Sequence, residues 1–339
     1  MFWVLMTALA GVCTGTFGLP LKLNKRWKWE NTWCVYAPWV LLIVPWAIAF
    51  ATVPNLFQAY SQVGAKVLFL VILFGSCWGI GQIAFGKGLD YLGIGLGFFL
   101  QIGLIISIGS LVPLFFESPH LILKKQGLAV IAGVLVIVIS IIIGGLAAAM
   151  KEKDLAGSID ADADKPKEKK TLRKGLTICL ISGLLCPGLN YAYRFGIPLA
   201  KTAESLGAHK ALSANAVLPL ALIGGFFFNL GYAIHLLNKN KTWNLYQPKD
   251  NRIYFIYTSI MGIWTVGVAL FGVSSTNMGE LGGSVGWAVI NAAQILWANV
   301  LGLLTGEWKV ASRKTLTTMA IGSIVLLIGL CIVGWANAL

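Results

Sequence analysis

Ten apolar stretches, most of them about 18 to 25 residues long, fill this chain of 339 residues. They fall at 2–21, 33–53, 66–86, 92–116, 124–149, 175–200, 211–237, 253–273, 284–305 and 315–336. About 20 apolar residues in a helix cross the roughly 30 Å hydrocarbon core of a bilayer. Inside lipid every backbone N–H and C=O must be bonded within the protein, so only helices and closed barrels are open to such a chain. Spanning barrels alternate apolar and polar residues over about ten positions, a pattern these stretches lack. The expected fold is all-α integral membrane, with ten transmembrane helices. Charged residues are 12% of the chain, about half the share usual in soluble domains. The first stretch starts at Met1 with no basic region before it and no small-residue cleavage motif, so it is expected to be a retained span.

The formal charge of +13 would point to nucleic acid in a soluble protein. Here the basic residues lie mostly in short connections, where they set topology instead. Lys and Arg number 20 in the connections after spans one, three, five, seven and nine, and five in the others or on the span ends bordering them. Positively charged connections stay in the cytoplasm, so both termini are expected on the outer, periplasmic side. The one long polar segment, Lys151 to Lys174, carries six acids and eight bases and no aromatic residue. It reads as a solvated cytoplasmic linker between a first five-helix repeat, 1–150, and a second, 175–339.

The halves echo one another. Gly75, Trp78, Gly81, Phe85, Gly86 and Gly93 return as Gly262 (one position off), Trp264, Gly267, Phe271, Gly272 and Gly279, most of them 186 residues on. Phe17-Gly18-Leu19-Pro20-Leu21 returns as Phe195-Gly196-Ile197-Pro198-Leu199. Lys124-Lys125 and Arg313-Lys314 open spans five and ten, each followed by a matched glycine, Gly133 and Gly322. Each half has an odd number of spans, so the second must enter the membrane from the opposite side. Two inverted repeats of five helices are the plan of a secondary transporter working by alternating access.

Polar side chains within spans should face protein or a wet cavity. Pro187 and Gly188 are placed to break span six before Asn190, Tyr191, Tyr193 and Arg194, and Asn190, Tyr193 and Arg194 share a helical face. Arg194 reads as a substrate or coupling-ion ligand, a structural ion pair or a snorkelling cation. Gln82 and Gln101 stand in spans three and four. Asn291 and Gln294 share a face of span nine with Trp287 and Trp297, amides beside aromatic surface, which suits a pyranose. Of thirteen tryptophans, Trp27, Trp29, Trp33, Trp39, Trp46 and Trp308 lie near span ends and read mostly as interfacial anchors. Trp78 and Trp264, inside spans at matched positions, are the better cavity candidates. No Asp or Glu is central in a span; Asp90 and Glu280, in equivalent connections, are the proton-coupling candidates. Six scattered cysteines without a CxxC pair and three histidines near span ends give no metal site. With no P-loop, no HExxH and no nucleophile-base-acid set, the chain reads as no enzyme.

The basic aromatic run Lys25-Arg26-Trp27-Lys28-Trp29-Glu30, then Trp33, Pro45-Trp46-Ala47-Ile48, Phe74-Gly75, Trp78-Gly79-Ile80-Gly81, Tyr91-Leu92-Gly93 and Glu307-Trp308 resemble the L-rhamnose:proton symporter family, a branch associated with the drug/metabolite transporter superfamily. The resemblance is dense in the first half and looser in the second. It implies inner-membrane import of L-rhamnose, a neutral deoxy-sugar, with the proton as coupling ion and no other cofactor. Uniport or exchange of another small metabolite, or a non-transporting membrane sensor, are the rival readings. The partners expected are a small-molecule sugar, the lipid bilayer and, as the assembly open to such a chain, a homodimer. Nucleic acid is not expected. The superfamily is usually drawn with both termini cytoplasmic, opposite to the charge count.

Overall fold

The computed structural model of the protein describes residues 1–156, 169–247 and 251–339, and among these every element is helical. Ten helices are long and apolar enough to cross a membrane: α1 (Phe2–Pro20), α2 (Trp29–Thr52), α3 (Ala65–Gly93), α4 (Leu96–Glu117), α5 (Lys125–Leu155), α6 (Leu172–Ser205), α7 (Ser213–Asn240), α8 (Arg252–Asn277), α9 (Gly279–Leu304) and α10 (Arg313–Ala336). Each overlaps one apolar stretch of the sequence. Several boundaries differ from expectation, among them α2 starting at Trp29, α6 ending at Ser205 and α9 starting at Gly279, and two connections change character. The connection placed at 87–91 is helical, and α3 runs on to Gly93. The linker placed at 151–174 starts as the end of a helix that reaches Ala156 and finishes in one that resumes at Lys169; residues 157–168 lie outside the described residues.

Local chemistry sets the breaks. In α2, Pro45 has no N–H to give and its ring crowds the carbonyl one turn back. The helix widens just before it, from Ala37 to Ile43, and Val44 N–H reaches Trp39 O, five residues behind. In α6 the helix stops at Leu185 and restarts at Gly188, across Pro187. The matched Phe-Gly motifs also act alike, since a short helix begins anew at Gly18 in α1 and at Ile197 in α6. Gly93 and Gly279, matched in the repeat, turn α3 into α4 and α8 into α9 with φ of 78° and 77°, a conformation that side chains other than glycine's resist.

The packing obeys the same pairing of halves. α6 lies against α3 and α4, and α1 against α8 and α9; α7 packs on α3 and α2. α5 and α10 pack on each other. There Gly133 faces Gly329 and Val333, while Gly322 faces Ser140 and Gly144. One shift of 189 residues (133 to 322, 140 to 329, 144 to 333) turns the first set of contacts into the second.

The α1–α2 connection is knitted to the α7–α8 connection. Asn240 Nδ2 and Thr242 Oγ1 donate to Glu30 Oε1 at 2.9 and 3.0 Å. Asn31 Nδ2 donates to Thr242 O at 2.9 Å and Tyr246 OH to Asn31 O at 2.8 Å. Burial holds the Tyr246 phenol above its ordinary range, which further favours the protonated form that donates here. Trp27, expected as an interfacial anchor, is instead buried: its ring stands edge-on to Tyr246 and Phe255, and Nε1 donates to Asn251 Oδ1 at 3.2 Å. Emptying that position in Trp27→Ala is expected to cost about 3–5 kcal/mol, read as a fall in the thermal unfolding midpoint in detergent. An unchanged midpoint would mean this contact does not hold the two halves. The counterpart contact joins the α2–α3 and α6–α7 connections through Asn55 Nδ2 to Leu206 O, Tyr60 OH to Ala216 O and Asn215 Nδ2 to Thr52 Oγ1, at 3.0 to 3.1 Å.

Candidate functional site

Small residues let α3 approach two helices of the second half at once. Gly75 faces Ala221 and Gly79 faces Gly225 on α7, while Gly81 faces Cys186 where α6 breaks. Between these contacts Trp78 of α3 stacks on Trp264 of α8, with centroids 5.3 Å apart and planes 20° off parallel. The two residues that the repeat equates therefore meet one another. Trp78 is buried and lies over Gly225; Trp264 is half-buried. Gln82, one turn along α3, donates through Nε2 to Cys186 Sγ at 3.7 Å.

A further aromatic run reaches toward this pair. Trp29, Trp33 and Tyr36 of α2 stack in sequence, with centroids 4.7 and 4.6 Å apart, and Phe17 of α1 stands edge-on to Trp33 and Tyr36. Trp33 Nε1 donates to Asn229 Oδ1 at 3.0 Å, and Asn229 Nδ2 donates to Gly225 O and Gly79 O. Trp33 is thus a group of the interior rather than an interfacial anchor. The signal was present: Trp29, Trp33 and Tyr36 follow the four- and three-residue spacing of one helical face.

The α6 residues gather at a second junction. Asn190, fully buried, donates to Gly109 O of α4 and Gly283 O of α9 at 2.9 and 3.0 Å. Tyr191 OH donates to Ile108 O at 3.0 Å, and its ring stands edge-on to Phe74. Tyr193 OH donates to Val268 O of α8 at 3.2 Å. Arg194 meets Glu117, the last residue of α4: Nε donates to Oε2 at 2.6 Å and Nη2 contacts the same oxygen. Of the three roles the residues left open for Arg194, the ion pair is the one present here. Glu117, like Asp90, Glu280 and Glu307, is legible in the sequence as a carboxylate close to a span, but nothing there pairs it with Arg194, 77 positions away.

Other candidates are dispersed. Gln101 is buried between α3 and α4, donating to Phe85 O and Gly97 O at 3.2 and 3.1 Å. The face of α9 is divided: Trp287 Nε1 donates to Ile105 O of α4 at 2.9 Å, whereas Trp297 Nε1 donates to Thr16 Oγ1 of α1 at 2.8 Å. Asn291 bonds back to Trp287 O, and Gln294 is half-buried beside Gly11 and Gly15 of α1. The two indoles thus clamp α9 to separate neighbours. Asp90 is exposed on the last turns of α3. Glu280 pairs with His120 at 3.2 Å in a largely exposed contact. Among the described residues no cluster of His, Cys, Asp and Glu could hold a metal ion.

The chain has close relatives in length and order. It is 28% identical to the L-rhamnose-proton symporter of Escherichia coli (strain SMS-3-5) over 346 residues, covering 100% of this chain and 97% of that protein. It is equally 28% identical to the L-rhamnose-proton symporter of Shigella boydii serotype 18 over 342 residues, covering 98% of this chain and 96% of the relative. The pattern of the L-rhamnose-proton symport protein family matches residues 1–339, the full extent of this ten-helix body, and the chain belongs to that family.

Proposed function

We propose that this protein imports L-rhamnose together with protons across the inner membrane, by alternating access between two inverted five-helix repeats. The stack of Trp78 on Trp264 carries the reading. Two repeat-equivalent residues in mutual contact straddle a pseudo-two-fold axis, and a site on that axis lies equally far from both aqueous faces. Exchanging the conformations of the halves then exposes it to either side in turn.

The chemistry of the surroundings fits a neutral deoxy-sugar. Indole surface takes the apolar face of a pyranose, and an amide can bridge neighbouring hydroxyls. Trp78, Trp264 and Gln82 are proposed as the contacts at the axis, with Trp33 and Asn229 on the approach. Both termini are proposed on the periplasmic side, following the charge count. The family resemblance and the names of the relatives support the sugar and the ion.

The test is uptake by purified protein in liposomes. Labelled L-rhamnose is expected to accumulate above its outside concentration when an inward proton gradient is imposed, and to do no more than equilibrate when the gradient is collapsed. Saturable binding with no accumulation would instead make the protein a sensor. Preference for phosphorylated or carboxylated solutes would move it to another substrate class.

A further inference from the structure

We infer that the ion pair between Glu117 and Arg194 links proton binding to the relative movement of the two halves, with Glu117 as the proton-bearing group; this rests on the proton-coupled transport proposed above. Two independent features of the junction of α4, α6 and α9 lead there.

The first is where the pair stands. Glu117 closes α4 in the first half and Arg194 belongs to α6 in the second, so the contact ties the halves together. The Arg194 side chain is 9% exposed and that of Glu117 34%. The cation is thus held inside while the acid stays within reach of water. Asp90 is exposed, and the Glu280 side chain is 66% exposed beside His120; among the described residues neither pairs with a buried cation.

The second is a concentration of unpaired polar atoms. Among the described residues six buried side-chain N or O atoms have no partner, and four of them belong here: Ser110 Oγ, Asn190 Oδ1, Arg194 Nη1 and Ser284 Oγ. Asn190 bonds the carbonyls of Gly109 and Gly283, the residues just before Ser110 and Ser284, and Arg194 packs on Gly283. A polar group buried without a partner has given up its bonds to water and gained none in return, which costs stability. Such groups call for a purpose, here a second arrangement in which they are bonded or wetted. Asn190 Oδ1 lacks a donor and Arg194 Nη1 lacks an acceptor, so each offers what the other needs once the guanidinium turns from Glu117.

When the halves shift, Arg194 leaves the carboxylate, and an acid parted from its cation loses the neighbouring charge that favours its ionised form. A proton from the outer aqueous phase adds to a Glu117 carboxylate oxygen, while Arg194 keeps its own charge and turns to Asn190 and the serine hydroxyls. On return to the arrangement described here Arg194 reclaims Glu117. Re-forming the ion pair returns the proton to water, because the cation favours the ionised acid. The other titratable groups around this end are Tyr191 on α6, His120 after α4 and Glu280 between α8 and α9.

Liposomes holding the full chain test this. Glu117→Gln, which copies the neutral acid, is expected to keep exchange of labelled for unlabelled L-rhamnose and to lose gradient-driven accumulation. Arg194→Gln is expected to lose accumulation as well, and Arg194→Lys to recover part of it. In the unaltered protein a hydrophobic carbodiimide is expected to label Glu117, read by mass spectrometry, to an extent that added L-rhamnose changes. That measurement needs no variant to fold. Accumulation kept by Glu117→Gln, accumulation lost by Asp90→Asn but not by Glu117→Gln, or labelling of Glu117 indifferent to the sugar would each overturn the inference. If the unaltered protein accumulates no L-rhamnose under a proton gradient, it is the transport reading that fails instead.

Discussion

Leucine in place of Gly75 is expected to remove nearly all correctly folded protein from the membrane. A Cβ at that position would overlap the Ala221 carbonyl oxygen and lie 2.8 Å from the carbonyl carbon. All the obstructing atoms are backbone, so no change of rotamer gives relief. Four residues on, Gly79 faces Gly225 in the same way, so the seam is a pair of small-residue stripes, Gly75 with Gly79 and Ala221 with Gly225. Helices in lipid associate through such close backbone approach, because lipid supplies no hydrophobic force to drive them together. Overpacking usually costs about 1–3 kcal/mol where side chains can yield, and here α3 and α7 would have to part. The fraction of monodisperse protein on size exclusion after detergent extraction measures the effect. Gly86→Ala is the control, since a Cβ there meets nothing within 4 Å. Normal yield and uptake from Gly75→Leu would contradict the close α3–α7 seam.

The second large effect is expected at the tryptophan pair. Trp78 is buried and seated over Gly225, so Trp78→Ala leaves a cavity that costs about 3–5 kcal/mol. Stacked rings contribute a further 0.5–1.5 kcal/mol or so beyond the area they bury. Trp78→Ala, Trp264→Ala and the double variant should therefore be non-additive in thermal stability by about that amount. L-Rhamnose uptake should be lost in both single variants and no lower in the double. Trp78→Phe and Trp264→Phe, which keep an aromatic face, should recover part of the uptake. Strict additivity in stability would show that the rings do not act as a pair. Full uptake by either alanine variant would take that residue off the transport path.

Much of the architecture was legible because its causes are local. Ten runs of apolar residues became ten long helices. Pro187 and Gly188 broke α6 where a missing N–H and a missing side chain permit it. Gly93 and Gly279, equated only by their place in the repeat, both adopted the positive φ that favours glycine. Trp78 and Trp264, equated by the same repeat, touch one another. The misreadings share one origin. Trp27 and Trp33 near a span end looked like lipid anchors, and their partners Asn251 and Asn229 come from the other half of the chain. Trp287 and Trp297 looked like one sugar cradle on α9, and α4 and α1 each claimed one of them.

Sequence alone determined ten helices long and apolar enough to cross a membrane, and the matched residues at which they break and turn, because hydropathy, proline and glycine act on the backbone next to them. Only the tertiary structure decided who meets whom: Arg194 with Glu117, Asn190 with Gly109 and Gly283, Trp33 with Asn229. Inside lipid a polar side chain must find a partner within the protein, and which one it finds depends on the rotation and depth of helices far apart in the chain.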